Sequence, residues 1–426
     1  MPLPGKRFAA FLVLLLAAGA AAQPKPAVVA LVGARVFDGS GSLPIERATL
    51  LLRDGRVEAV GPELPVPSGA QRVDVRGKTI LPGLVNAHGH LADTKGLRTG
   101  PEFYTRENLL SQLKLYARYG VTTVVSLGGD REQGFELRAE QDKPPLDRAR
   151  LFVAGPVVTA RTADEARAAV KAIAPKKPDF VKIRVDDNLG TAPKMPVEAW
   201  RAVISEAHAQ NLKVAAHIFY LEDARALVEE GVDLIAHSVR DLPVDSGFAD
   251  LLKRKNVCLV PTLTREVSAF AYADEPDFFK DPFFLKDADP AVIEQLRAPK
   301  RRADTKASPA AQAYKKALEM AQKNLKALAD AGVTIAMGTD TGPPARFQGY
   351  FEHLELELMA KAGLTPKQIL LAATGDAARC AGLRGRVGTL EPGVWADFMV
   401  VGADPFADVK NLRKLESVWV AGRRLN

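Results

Sequence analysis

The chain has 426 residues, 47% of them apolar and 26% charged, with a formal charge of +7. That composition excludes a disordered or low-complexity chain and allows one large domain or two ordinary ones. The basic residues are spread out, and the densest run, Lys300-Arg301-Arg302, lacks interleaved aromatics. Net charge of this kind bears on solubility, and nucleic-acid binding is not expected.

The N-terminus comes first in chain order. Lys6 and Arg7 precede an apolar run from Phe8 to about Ala18, then small residues up to Ala22. A basic segment, a short apolar core and an A-x-A site together read as a secretory signal peptide over residues 1–22. The run is too short to span a bilayer, so no stable membrane insertion is expected once the leader is cut. No cysteine lies at the cut, which argues against a lipid anchor. The mature chain is expected to begin near Gln23 and to be exported, most simply to a bacterial periplasm.

Residues 23–80 are β-rich. "VVALVGARVFDGSG", "ATLLLRDGRVEAVG" and "QRVDVRGKTI" alternate and are split by Gly-containing turns, with Asp54-Gly55 a strong hairpin signal. Residues 386–426 repeat that texture in "GTLEPGVWADFMVVGADP" and "LESVWVAGRRLN". The two ends are expected to fold together into one small sheet domain.

Residues 81–385 alternate between strand-type and helix-type segments. Apolar runs recur at 79–85, 121–127, 150–158, 180–185, 213–217, 234–237, 258–263 and 334–338. Helix-type stretches such as "TADEARAAVKAIA" and "LEDARALVEEG" separate most of them, and several close on Gly before the next run. Eight such units predict an α/β fold of the (β/α)8 TIM-barrel type, with a doubly wound open sheet as the runner-up. The seventh and eighth runs are separated by about seventy residues, far more than an ordinary connection. The insertion at 264–307 is rich in Phe, Asp and Pro, and reads equally as a substrate lid or as a loop packed by its own aromatics.

Chemistry concentrates at the ends of these runs. His88 and His90 follow the first, His217 ends the fifth, His237 ends the sixth, and Asp340 follows the eighth. Four of the six histidines therefore fall at strand ends, where barrel enzymes place function. Residues i and i+2 of a strand share a face, so His88 and His90 point together. In Phe180–Arg184 the same alternation turns Lys182 inward, where a lysine is costly unless paired or modified. Imidazoles and a carboxylate converging on one point suit zinc or a similar divalent ion. His208 and His353 lie in helix-type segments, and His353 is expected on a helix surface. Cys258 and Cys380 are far apart in apolar surroundings and are expected to be two buried free thiols.

The motifs "PGLVNAHGH", "DFVKI", "AAH", "IAH", "GTDT" and the late "GTLEPGVWADFMVV" resemble the amidohydrolase superfamily over nearly the whole mature chain. The terminal sheet domain resembles the small β-sandwich of many of its members. In its two-metal type the resemblance implies His88, His90 and Asp340 on one ion and His217 and His237 on a second. It further implies Lys182, carboxylated by carbon dioxide, as the bridge, and Asp340 as the catalytic proton carrier. The implied function is hydrolysis of a C–N amide or peptide bond by metal-activated hydroxide. Within the superfamily the chain looks most like imidazolonepropionase-like hydrolases and metallopeptidases of the Xaa-Pro dipeptidase or carboxypeptidase kind. Lys182 separates it from the one-metal imidazolonepropionases.

A small-molecule amide or peptide is the expected partner, and a homo-oligomer is left open. Candidate substrate contacts are Tyr220, Asp186 or its neighbour Asp187 for an amine, and Arg265 for a carboxylate. Related chains often carry a small, Gly-rich segment where this one has Arg184, Asp186 and Asp187. Two alternatives stand beside this reading: a mononuclear deaminase or cyclic-amide hydrolase with Lys182 unmodified, and an inactive metal-binding protein.

Overall fold

The computed structural model describes residues 28–425, together with Met1. The leader's apolar run and its cleavage point lie outside the described residues. Among the described residues, no helix is long and apolar enough to cross a membrane.

The β-rich ends share one antiparallel-dominated sheet. Val29–Val36 pairs with Ile45–Arg53, which turns through Asp54-Gly55 into Arg56–Pro62. Both turn residues have positive φ, 52° and 77°, as a tight two-residue hairpin requires. Thr79–Pro82 lies antiparallel to Phe398–Val401, which continues into Leu415–Val420 and Arg423–Leu425. Alternate apolar residues meet in one cluster: Leu31, Leu50, Val57, Ile80 and Phe398 are fully buried or nearly so. Phe398 stacks on Trp419 at 5.3 Å.

A second set of strands is parallel and paired in chain order. Leu84–Gly89 pairs with Val121–Ser126, and that strand with Arg150–Val153. Val157–Val158 pairs with Val181–Arg184, followed in turn by Val214–His217, Leu234–Ala236 and Cys258–Val260. Leu259 then bridges Ile335, and the amide of Ala87 donates to the carbonyl of Met337 at 2.9 Å. These strands are buried on both faces, as crossover helices on an α/β sheet demand. The helices start at side-chain caps, as at Thr105, Thr162 and Asp245, and Gly231 ends one in the left-handed region. The result is a mixed α/β fold.

One boundary differs from expectation. The run at 79–85 is not one strand. It divides at Gly83, whose amide donates to the carbonyl of Asp397, so its first half joins the antiparallel sheet and its second the parallel set. A Cβ on Gly83 would lie 2.1 Å from Thr122 Oγ1, so only glycine allows this crossing.

The two cysteines are not free. Cys258 and Cys380 form a disulfide across 122 residues, with Cα atoms 5.8 Å apart. Both are buried as expected, at 6% exposure. Cys380 ends the helix Gly375–Cys380, which lies against the start of the strand Cys258–Val260, a proximity that sequence spacing does not encode.

The insertion is packed down by its own aromatics. Tyr272, Phe279 and Phe284 are buried against Tyr119, Tyr350 and Phe351, and most of the segment is short helices.

Candidate active site

His88, His90 and Asp340 come together from the first parallel strand and the turn after the last. One ligand-capable atom from each lies within 4.8 Å of the others. His90 Nε2 is 2.8 Å and His88 Nε2 3.4 Å from Asp340 Oδ1. His90 Nδ1 lies 2.8 Å from the Gly128 carbonyl, which fixes the proton on Nδ1 and leaves Nε2 facing Asp340. Gly338 and Gly342 make the approach possible: a Cβ on either would lie within 3.0 Å of the backbone of His88 or His90.

His217 and His237 form the second group. His237 Nε2 is 2.7 Å from His217 Nδ1, and the His237 ring centroid is 4.8 Å from that of His88. The outer nitrogens are engaged elsewhere: His217 Nε2 with Asp186 at 3.0 Å, His237 Nδ1 with Thr262 Oγ1 at 2.7 Å. His237, Asp340 and Thr262 all have positive φ, 73°, 56° and 50°. Each such backbone costs ~1–3 kcal/mol and persists only where its surroundings over-determine it.

Lys182 lies among these groups, 3% exposed, and its Nζ has no hydrogen-bond partner among the described residues. Burial lowers its pKa to about 7, which leaves much of it a neutral amine near neutral pH. Burial likewise lowers His217 to about 3 and holds His88 and His237 well below the usual imidazole range. Burial alone would raise Asp340, but the Arg346 guanidinium and the bond to His90 outweigh it and hold the carboxylate ionised. His88, His217 and His237 are thus held neutral beside an anion, the protonation states that a divalent cation needs.

The substrate-facing expectations fare differently. Arg265 is buried near the cluster, with Nε 4.0 Å from Asp340 Oδ2 and its other nitrogens on Glu266 and Tyr314. Asp186 is not free to bind an amine: it is buried and accepts from both His217 and Arg184. Asp186 lies two residues past the end of the strand Val181–Arg184, and its bonds to His217 and Arg184 turn it inward. Tyr220 donates to Asp187 at 2.8 Å, so these two contact each other beside His217.

His353 is not on a helix surface. It is 2% exposed and its Nε2 lies 2.8 Å from the Tyr119 carbonyl, because the helix Tyr350–Lys361 is enclosed on nearly all sides. A cavity of about 280 Å3 opens beside His90, walled by Leu91, Asp93, Val157, Pro343 and Pro344.

Several residues escaped the sequence reading. Arg346 reaches Asp340 Oδ2 at 2.5 Å, and Thr262 orients His237. Glu352 and Glu355 stand behind the strand ends, and the visible signal was a run of three glutamates among apolar residues in "FEHLELELM".

Imidazoles and a carboxylate gathered at strand ends of a mixed α/β fold define a hydrolase acting on carbon–nitrogen bonds. The chain belongs to the amidohydrolase family, whose model matches residues 79–425. It is similar to ochratoxinase of Aspergillus niger, 24% identical over 91% of this chain and 84% of the relative. It is equally similar to imidazolonepropionase of Geobacillus kaustophilus, 24% identical over 86% of each chain. Among solved structures, a Xaa-Pro dipeptidase with bound methionine superposes with a TM-score of 0.76 at 19% identity, covering 94% of this chain and all of that one. A prolidase complexed with N-methylphosphonate-L-proline gives 0.75 at 22%, with the same coverage. These two likenesses bear on the fold alone.

Proposed function

We propose that the protein is an exported, two-metal amidohydrolase that cleaves an amide or peptide C–N bond adjoining a carboxylate. The observation that carries this reading is the buried Lys182 Nζ, without a partner among the described residues and set among four imidazoles and one carboxylate. Such an amine is costly as a cation, and a carbamate formed with carbon dioxide would turn it into an anionic ligand. His88, His90 and Asp340 would hold one ion, His217 and His237 the second, and carboxylated Lys182 would bridge them. Zinc suits this nitrogen and oxygen donor set. When bound, the ions lower the pKa of a water and polarise the scissile carbonyl.

The chain's own residues do the rest. Asp340 accepts the proton of the attacking water and returns it to the leaving nitrogen. Arg265 and Arg346 lie on the Oδ2 side of Asp340, opposite the histidines, and are the groups to hold a substrate carboxylate. The apolar walls of the cavity beside His90 would take the other half of the substrate. Tyr220 lines the His217 side.

The parallel pairings from Leu84 onward support a (β/α)8 barrel, with the sheet of the two chain ends, which takes in Thr79–Pro82, as a separate small β domain. Export to a periplasm is supported by the leader-type N-terminus and by the disulfide, which belongs to an oxidising compartment.

Metal analysis of the purified mature protein, grown and assayed with zinc and bicarbonate, tests the centre. Close to two ions per chain supports the bridged site. One ion per chain overturns it in favour of the mononuclear reading. Lys182→Ala should lose one ion and turnover together, and unchanged activity would remove Lys182 from the mechanism. A screen of dipeptides, N-acyl amino acids, cyclic amides and lactones tests the substrate class. Turnover without metal content would overturn the metal-dependent mechanism, and metal content with no turnover anywhere in the screen would favour an inactive metal-binding protein.

A further inference from the structure

The helix Tyr350–Lys361 carries two glutamates three residues apart, Glu352 and Glu355, both with no exposed surface. Burying a carboxylate is expensive unless donors surround it. Each has a full set, and the two sets lead mainly to different halves of the site, joined by one bond from Thr264 Oγ1 to the Thr339 carbonyl at 3.1 Å.

Glu352 Oε1 accepts from Asn86 Nδ2 at 2.7 Å, Thr339 Oγ1 at 2.7 Å and Thr341 Oγ1 at 2.9 Å. Its Oε2 accepts from the Gly349 amide at 2.6 Å. Asn86 in turn accepts from the His88 amide at 3.0 Å, and the Thr341 carbonyl from the His90 amide at 2.7 Å. Thr339 and Thr341 flank Asp340. One carboxylate therefore ties the first parallel strand to the turn after the last, at the three residues that carry His88, His90 and Asp340.

Glu355 faces another element. Its Oε1 accepts from the Leu263 amide at 2.8 Å, and its Oε2 from the Thr264 amide and hydroxyl, each at 2.8 Å. These amides open the helix Leu263–Phe270, whose N-cap Thr262 makes no capping bond of its own. Glu355 supplies the missing acceptor. Thr262 is thereby left with its hydroxyl on His237 Nδ1.

We propose that Glu352 and Glu355 are positioning residues that set the two halves of the metal site separately. Glu352 orders the His88–His90–Asp340 half, and Glu355, through Thr262, orders the His237 half. The assignment rests on the two-ion reading above. Neither glutamate touches the place where a substrate would react. Groups that orient metal ligands typically change metal affinity by about 10–100-fold when removed.

The test is calorimetric titration of zinc into the metal-free full-length mature protein. Glu352→Gln should weaken one ion by about 10–100-fold and leave the other unchanged, and Glu355→Gln should do the converse. In a His217→Asn/His237→Asn background, which keeps only the first half, the Glu352→Gln effect should persist and the Glu355→Gln effect should vanish. Asn86→Ala and Thr262→Val act one bond further on, should reproduce the respective losses, and serve where a glutamine variant fails to fold. Equal weakening of both ions by each variant, or a lower melting temperature with both affinities intact, overturns the proposal. A wild-type protein that binds a single ion overturns the two-ion reading instead, while the Glu352→Gln effect on that ion still decides the role of Glu352.

Discussion

His217 offers Nε2 to Asp186 Oδ2 at 3.0 Å and Nδ1 to His237 Nε2 at 2.7 Å. A carboxylate on one imidazole nitrogen holds a proton there and leaves a lone pair on the other. Asp186 is itself fixed by Arg184 Nε at 3.0 Å, and those two bonds outweigh burial and keep it ionised. The residue expected to meet a substrate amine instead orients a histidine. Asp186→Asn should lower zinc affinity at the His217–His237 half by about 10–100-fold. Competition with a chromogenic chelator checks it, and an unchanged affinity would leave Asp186 without this role.

Arg346 and Arg265 stand on the side of Asp340 that faces away from the histidines. A hydrogen bond to a charged group contributes about 1.5–3 kcal/mol. Arg346→Met should therefore cut kcat/KM by about 10–150-fold for a substrate with a free carboxylate. The matching amide-capped substrate should lose far less. Equal losses on both, measured in parallel assays, would assign Arg346 to holding Asp340 rather than to selecting substrate.

The Cys258–Cys380 bond closes a loop of 122 residues and pins the helix Gly375–Cys380 to the strand Cys258–Val260. Long loops gain most from such a link, and losing one costs about 2–5 kcal/mol. Cys380→Ser should lower the thermal midpoint while leaving metal content unchanged, since Cys258 lies opposite Leu234, at the other end of the strand pair from His237. Intact mass before and after reduction reports whether the bond is present.

His353 gives a pH signature. Burial lowers its pKa to about 3, whereas in the unfolded chain it titrates near 6.5. The unfolded state then binds the extra proton, so stability falls as the pH drops below 6.5 and continues to fall toward 3. Between pH 6.5 and 4.5 the single group should cost ~2–3 kcal/mol. His353→Gln should flatten that part of the curve relative to wild type, as read by urea denaturation at several pH values. Parallel curves would show that another group carries the acid sensitivity.

The sequence by itself determined the alternation of strands and helices, the pairing of the chain's two ends and the six residues of the candidate centre. Periodicity and position carry that information locally: a histidine at a strand end, or a lysine at an inward strand position, is visible without knowing its neighbours. Alternation turns Lys182 inward, but Asp186, four residues on, lies past the end of the strand Val181–Arg184, where alternation no longer fixes a side chain's direction. Only the tertiary structure decided what each group touches. Cys258 and Cys380 met because a helix lies against a strand 122 residues away. His353 lost its solvent face because neighbouring elements enclose its helix, and Glu352 found Asn86 across 266 residues. Burial and hydrogen-bond partners depend on which distant segments the fold brings within about 3 Å, and no local pattern records that distance.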